Sequence, residues 1–137
     1  MSKKGNKPNF SWEDIKEYCE TLTEAEDALT REIVSCISDK WSLWTMSVIA
    51  EHQAPMRFSR IMEGVGEISQ KSLTKTLRGL ERDGLISREI FAEVPPRVEY
   101  TLTGLGGEML DQIAPLWLWV AKKAARFQAA RDEFDQQ

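Results

Sequence analysis

The segment from Ser69 to Leu102 leaves the chain few choices of fold. Ser69 is a helix-capping residue type, and Leu73, Leu77 and Leu80 follow it on one side of a helix at about 100° per residue. Gly84 stands where a helix ends in a left-handed residue, and Leu85 is placed for the apolar contact that accompanies such an end. Two strand patterns come next. Leu85-Ile86-Ser87-Arg88-Glu89-Ile90-Phe91 is one, and Arg97-Val98-Glu99-Tyr100-Thr101-Leu102 is the other, in near-strict alternation. Between them Glu93-Val94-Pro95-Pro96 predicts a turn, where prolines are tolerated because no ladder N–H is needed. Upstream, Arg57 to Glu63 predicts a short helix with Phe58 and Ile61 inward, and Gly64-Val65-Gly66 a turn. Helix, glycine-bearing turn, helix and hairpin make a winged helix-turn-helix.

Helical patterns flank this core. Ser11 caps a segment carrying Trp12, Ile15, Cys19 and Leu22, and Thr23 with Glu26 forms the capping box of a second helix. Ser38 or Asp39 starts a third helix, whose apolar residues Trp41, Leu43, Trp44, Val48 and Ile49 cover most of its circumference and predict deep burial. His52 falls at its end, where a histidine complements the last carbonyls. After Thr103, apolar residues recur at helical spacing through Phe127, and Pro115 predicts a kink. Carried to Phe134, this helix is roughly 45 Å long at 1.5 Å per residue, too long for a small domain to cover. Its surplus apolar face predicts a partner subunit, the competing expectation being cover by the N-terminal helices of the same chain.

The expected fold class is therefore α+β, mainly α: a winged helix-turn-helix with a two-stranded wing and flanking N- and C-terminal dimerisation helices. Residues 1–10 read as a flexible tail and 11–137 as a single winged-helix domain. Within it, 11–37 are N-terminal helices, 38–102 the helix-turn-helix core and wing, and 103–137 the C-terminal dimerisation helix.

Composition excludes much chemistry. Two cysteines and one histidine cannot build a four-ligand zinc site, so no metal or cofactor is expected. The chain has neither a Gly-rich phosphate loop nor a G-x-S-x-G elbow, which points away from an enzyme. Its longest apolar run, Ala114 to Ala121, is far short of the roughly 20 residues that span a bilayer, and the start lacks a secretory apolar core. No membrane role and a cytoplasmic location are the expectation. The formal net charge is -4, yet Arg57 to Arg97 holds eight Lys/Arg against six Asp/Glu. A relatively basic middle in an acidic chain is compatible with binding a polyanion there.

The helix after Ser69 gives that charge a direction. Lys71, Thr74, Lys75 and Arg78 fall opposite its leucines, with Gln70 at the margin, and this outward face contains no acid. Lys and Arg neutralise phosphates or donate to guanine edges, Gln pairs with adenine, and Ser or Thr meets base edges. The expected DNA-binding residues are Ser69, Gln70, Lys71, Ser72, Thr74, Lys75 and Arg78, with Arg88 and Arg97 from the wing. A solvated helix face is the plainer explanation of such charges, and for Arg97 a strand-edge pairing with Glu99 or Glu93.

Several runs carry a family resemblance. Ile37-Ser38-Asp39-Lys40-Trp41 and Met56-Arg57-Phe58-Ser59-Arg60-Ile61 resemble segments of HxlR-type winged-helix transcriptional regulators, relatives of the MarR group. So do Ile68-Ser69-Gln70-Lys71-Ser72-Leu73-Thr74, the run Leu77 to Leu85, the wing from Val94 to Thr103, and Trp119. The likeness spans about residues 25 to 120. It implies a bacterial, homodimeric, sequence-specific binder of double-stranded DNA, with helix 69–83 in the major groove and hairpin 86–102 as the wing. The chain departs from the family at Asp39, where glycine is usual, and in a longer N-terminal extension. Many members also carry a cysteine about twelve residues before the lysine of the Lys-Trp pair, and here that position is Ala28.

The leading expectation is thus a homodimeric regulator on an inverted-repeat operator. A winged-helix protein–protein adaptor is one alternative, motivated by the acidic remainder. A thiol-based redox sensor using Cys19 or Cys36 is another, although Cys36 lies on an apolar stripe and reads as an inert core thiol. The tryptophans read as core and interface. If several lined one cavity between subunits, they would hold an aromatic effector, which the sequence does not decide.

Overall fold

The computed structural model describes residues 11–137. The tail expected at residues 1–10 lies outside them. The chain divides into two compact units between Ser38 and Asp39.

The first unit contains α1 (Trp12–Glu20) and α2 (Glu24–Ile37). Both begin where the capping residues predict. Ser11 Oγ accepts from the Asp14 N–H at 3.2 Å while the Asp14 carboxylate accepts from the Ser11 N–H at 2.9 Å. Thr23 and Glu26 make the same reciprocal pair. Acids fill both first turns, at the positive end of each helix dipole. Neither helix has a buried residue.

The second unit runs α3 (Lys40–His52), β1 (Met56–Arg57), α4 (Phe58–Val65), α5 (Gln70–Arg82), β2 (Ile86–Phe91), β3 (Arg97–Leu102), α6 (Gly104–Lys122) and α7 (Ala124–Asp135). Its core joins Met46 and Ile49 of α3, Ile61 and Val65 of α4, and Leu73, Leu77 and Leu80 of α5, closed by Leu85 and Ile86. The leucines predicted to face inward on α5 do so, and Leu73 is wholly buried. At the end of α5, Gly84 takes φ +75°, the Gly84 N–H donates to Glu81 O and the Leu85 N–H to Leu80 O. This is the six-to-one and five-to-two bonding of a glycine-terminated helix, with Leu80 and Leu85 both buried around it.

One expectation is extended and two are corrected. The two-stranded wing is present as β2 and β3, and a third strand, β1, joins its sheet in the order β1-β3-β2. Met56 pairs with Tyr100 and Arg57 with Glu99, so the wing hairpin is anchored to the chain entering α4. The segment expected as one C-terminal helix is two, α6 and α7, which meet at Lys123 (φ -102°, ψ 9°), and Pro115 lies inside α6. Pro115 and Asp111 are both exposed, so the carbonyl that loses its N–H partner is on the solvent side, where water satisfies it at little cost. Finally, α3 is not buried all round. Ser42, Thr45, Met46 and Ile49 form its buried face, and Trp44 is exposed.

Candidate nucleic-acid interface

Helix α5 carries the site. Ser69 caps it, accepting from the Ser72 N–H at 3.1 Å and donating to Ser72 Oγ at 2.9 Å. These two serines therefore spend hydrogen bonds on starting the helix. Gln70, Lys71, Thr74, Lys75 and Arg78 are all exposed, while Leu73, Thr76, Leu77 and Leu80 are buried. The two faces are those expected from the sequence. Thr74 Oγ1 donates to Gln70 O at 2.8 Å, which fixes its rotamer and leaves its lone pairs outward. Among the described residues, Lys71, Lys75 and Arg78 enter no ion pair. One helix thus presents three uncompensated cations, an amide and a hydroxyl on a single exposed face.

The wing differs in kind. Arg88 lies 3.4 Å from a Glu81 carboxylate oxygen, joining β2 to the last turn of α5. Arg97 lies 3.4 Å from Glu93 and 3.3 Å from Glu99, with its guanidinium 4.2 Å from the centre of the Phe91 ring. Its side chain is only 28% exposed. The strand-edge pairing considered for Arg97 is present with both partners at once. Tyr100, at the register position opposite Arg88, keeps its hydroxyl proton above the ordinary tyrosine range. Burial raises it, Arg88 opposes, Glu81 adds to the rise and Arg78 opposes.

One basic residue outside the expected set joins these. Arg57 is exposed, takes part in no ion pair among the described residues, and sits at the N-terminus of α4, where no side chain caps the helix. Arg60, one turn on, is paired with Glu63 at 3.5 Å. The signal for Arg57 was its place in the basic middle segment, but a two-residue strand has no periodicity to reveal which way it points.

The cysteines correct the expectation of an inert core thiol. Cys36 is exposed, because α2 buries no residue along its apolar stripe, and Cys19 on α1 is half-buried. Nor do the tryptophans of the second unit share one environment. Trp41 packs against the core under Lys40, Trp44 meets Trp117 edge-on at 5.7 Å, and Trp119 meets Phe127 edge-on at 5.8 Å. Among the described residues, no helix is long and apolar enough to cross a membrane.

Comparison with known proteins agrees with this geometry. Residues 36–128 match the HxlR-like helix-turn-helix family. The chain is 33% identical to the uncharacterized HTH-type transcriptional regulator YtfH of Escherichia coli (strain K12) over 109 residues, covering 80% of this chain and 85% of that one. It is similar in structure to the transcriptional regulator assigned as ytfH of Salmonella typhimurium, with a TM-score of 0.67 and 31% identity over 75% of this chain and 90% of that one. The redox regulator HypR in its oxidized form superposes with a TM-score of 0.57 and 30% identity, covering 68% of this chain and 94% of HypR. A winged helix-turn-helix matched over two thirds of its length places the chain in the HxlR-like helix-turn-helix family of transcriptional regulators.

Proposed function

We propose that this chain is a homodimeric, sequence-specific DNA-binding regulator that reads an inverted-repeat operator with α5 in the major groove. The observation that carries the proposal is the acid-free, exposed face of Gln70, Lys71, Thr74, Lys75 and Arg78 on a helix whose opposite face buries its leucines in the core. Lys71 and Lys75 supply phosphate neutralisation, and Arg78 either a phosphate or a guanine contact. Gln70 and Thr74 discriminate bases, and Ser69 and Ser72 approach the backbone from the helix start. Arg88 is half-exposed, and its pair with Glu81 is of the surface kind worth about 0–1 kcal/mol, so a phosphate competes for it. Arg97 is held by two carboxylates and a ring, and acts chiefly by fixing the hairpin.

Dimerisation follows from α6 and α7. Leu116, Trp119 and Val120, with Phe127 and Phe134, are large apolar side chains left exposed, the kind of surface a second copy covers. Two recognition helices would then address half-sites about 34–36 Å apart.

Thiol control is a second reading, favoured by the exposure of Cys36 and by the likeness to the redox regulator HypR. Unchanged DNA affinity after diamide treatment removes it.

The test is duplex binding measured by fluorescence anisotropy across salt concentrations. Three α5 cations per protomer give a dimer a slope of log K against log salt near -5. Lys75→Ala lowers the magnitude by about one per half-site and weakens all sequences alike. An unchanged slope removes Lys75 from the contacts. Absence of salt-sensitive duplex binding replaces the proposal with the protein–protein adaptor.

A further inference from the structure

A groove of about 700 Å³ runs between α3 and α6, away from the face of α5. Trp44, Val48 and Glu51 line one side of it, and Leu110, Ile113 and Trp117 the other. On α6 the lining residues recur three and four apart: Leu110, Ile113 with Ala114, Trp117 with Leu118, and Ala121. Leu116, Trp119 and Val120, offered above to a second copy, are not among the lining residues, although Leu118 between them is. Glu51 is the one charged residue in the lining, and it makes no ion pair among the described residues. Trp44 and Trp117 stand edge to face, and each is about half exposed.

We propose that this groove binds a flat aromatic cation, and that the ligand controls the DNA affinity of α5. The size fits a small molecule, since ligand clefts run from about 300 to 1,000 Å³. Two indole rings attract a cation over their faces and stack on an aromatic body, and the lone carboxylate supplies the countercharge. An aromatic anion meets only Glu51 and is disfavoured. Control follows from where α3 lies. One of its faces lines the groove with Trp44 and Val48, and its opposite face puts Met46 and Ile49 into the core with Leu73 and Leu77 of α5. A ligand wedged against α3 therefore acts on the helix that supports the recognition helix. By linkage, the duplex changes the ligand's affinity by the same factor. This second half rests on the proposed DNA binding; the site itself does not.

The experiment uses the full chain with two xanthene dyes of opposite charge, rhodamine 6G and fluorescein. Fluorescence polarisation of each is followed on titration with protein, alongside quenching of the tryptophan emission. The expected result is saturable rhodamine 6G binding at least tenfold tighter than fluorescein binding. Glu51→Gln weakens rhodamine 6G roughly five- to tenfold and leaves fluorescein unchanged. Trp117→Leu, checked for an unaltered circular dichroism spectrum, removes most of the binding and quenching. Equal affinity for the two dyes, or Glu51→Gln without effect on rhodamine 6G, overturns the site. Binding that emerges only in a variant with the dimer surface broken also overturns it, because a second copy then fills the groove. Saturable dye binding that leaves duplex affinity unchanged overturns the control. Dye binding in a protein that binds no duplex at all refutes the DNA reading and leaves the site standing.

Discussion

Two adjacent glycines at the start of α6 predict opposite responses to the same substitution. Leu85 O accepts from the Thr103 N–H at 3.1 Å, Thr103 Oγ1 donates to Gly84 O at 2.6 Å, and Thr103 caps α6 by accepting from the Gly106 N–H at 3.0 Å. This network presses the first turn of α6 onto the base of the wing. A Cβ on Gly106 would collide with the Leu85 carbonyl oxygen and lie 2.8 Å from Leu102 Cδ1. A carbonyl cannot swing aside as a side-chain tip does, so the helix must lift. Overpacking of this kind costs about 1–3 kcal/mol, offset by the 0.5–1 kcal/mol or so that alanine gains over glycine in a helix. One residue on, a Cβ on Gly107 meets nothing closer than Leu102 Cδ2 at 4.0 Å. Gly107→Ala should therefore stabilise by up to about 1 kcal/mol, and Gly106→Ala destabilise by up to about 2.5 kcal/mol. The gap, which is the overpacking cost alone, is about 1–3 kcal/mol and corresponds to roughly 3–10 °C in Tm for a chain of this size. Thermal unfolding followed by circular dichroism, at one fixed protein concentration because a dimer's Tm depends on it, reads the gap directly. Equal Tm values for the two variants would refute the close approach of α6 to Leu85.

Other outcomes follow from the same geometry. Gln70→Ala should cost about 1–3 kcal/mol at one base position, read as relaxed preference in competition binding, with the salt slope unchanged. Arg97→Ala should leave the salt slope unchanged while lowering Tm, because its cation already serves Glu93, Glu99 and Phe91. A slope smaller by one per half-site would return Arg97 to the DNA contacts. Trp119→Ala with Phe127→Ala should shift sedimentation toward the monomer, and an unmoved sedimentation coefficient would place the dimer contact elsewhere.

Most of the second unit was legible because its signals are local. Ser69, Gly84 and Thr103 act on their own helix ends, and the spacing of Leu73, Leu77 and Leu80 fixes which face of α5 is buried whatever lies against it. The features that escaped depend on distant partners. β1 is two residues long and exists only because β3 runs beside it. Pro115 lies inside α6 one turn from an exposed Asp111, a matter of exposure rather than of sequence. Cys36 sits on an apolar stripe, and a stripe does not reveal whether anything covers it. In the candidate interface the α5 residues could be read from one helix turn to the next. The compensation of Arg88 by Glu81, across from β2 to α5, could not.

The central claim, a dimer reading two half-sites through α5, is tested most directly by selection from a random duplex pool at two salt concentrations. Wild-type protein and Lys71→Ala/Lys75→Ala/Arg78→Ala protein are compared. Enrichment of one inverted repeat by the wild type, with half-sites about one helical turn apart and loss of enrichment in the variant, is the predicted result. A pool that stays random under the wild type, or an inverted repeat that the variant enriches equally well, would contradict it.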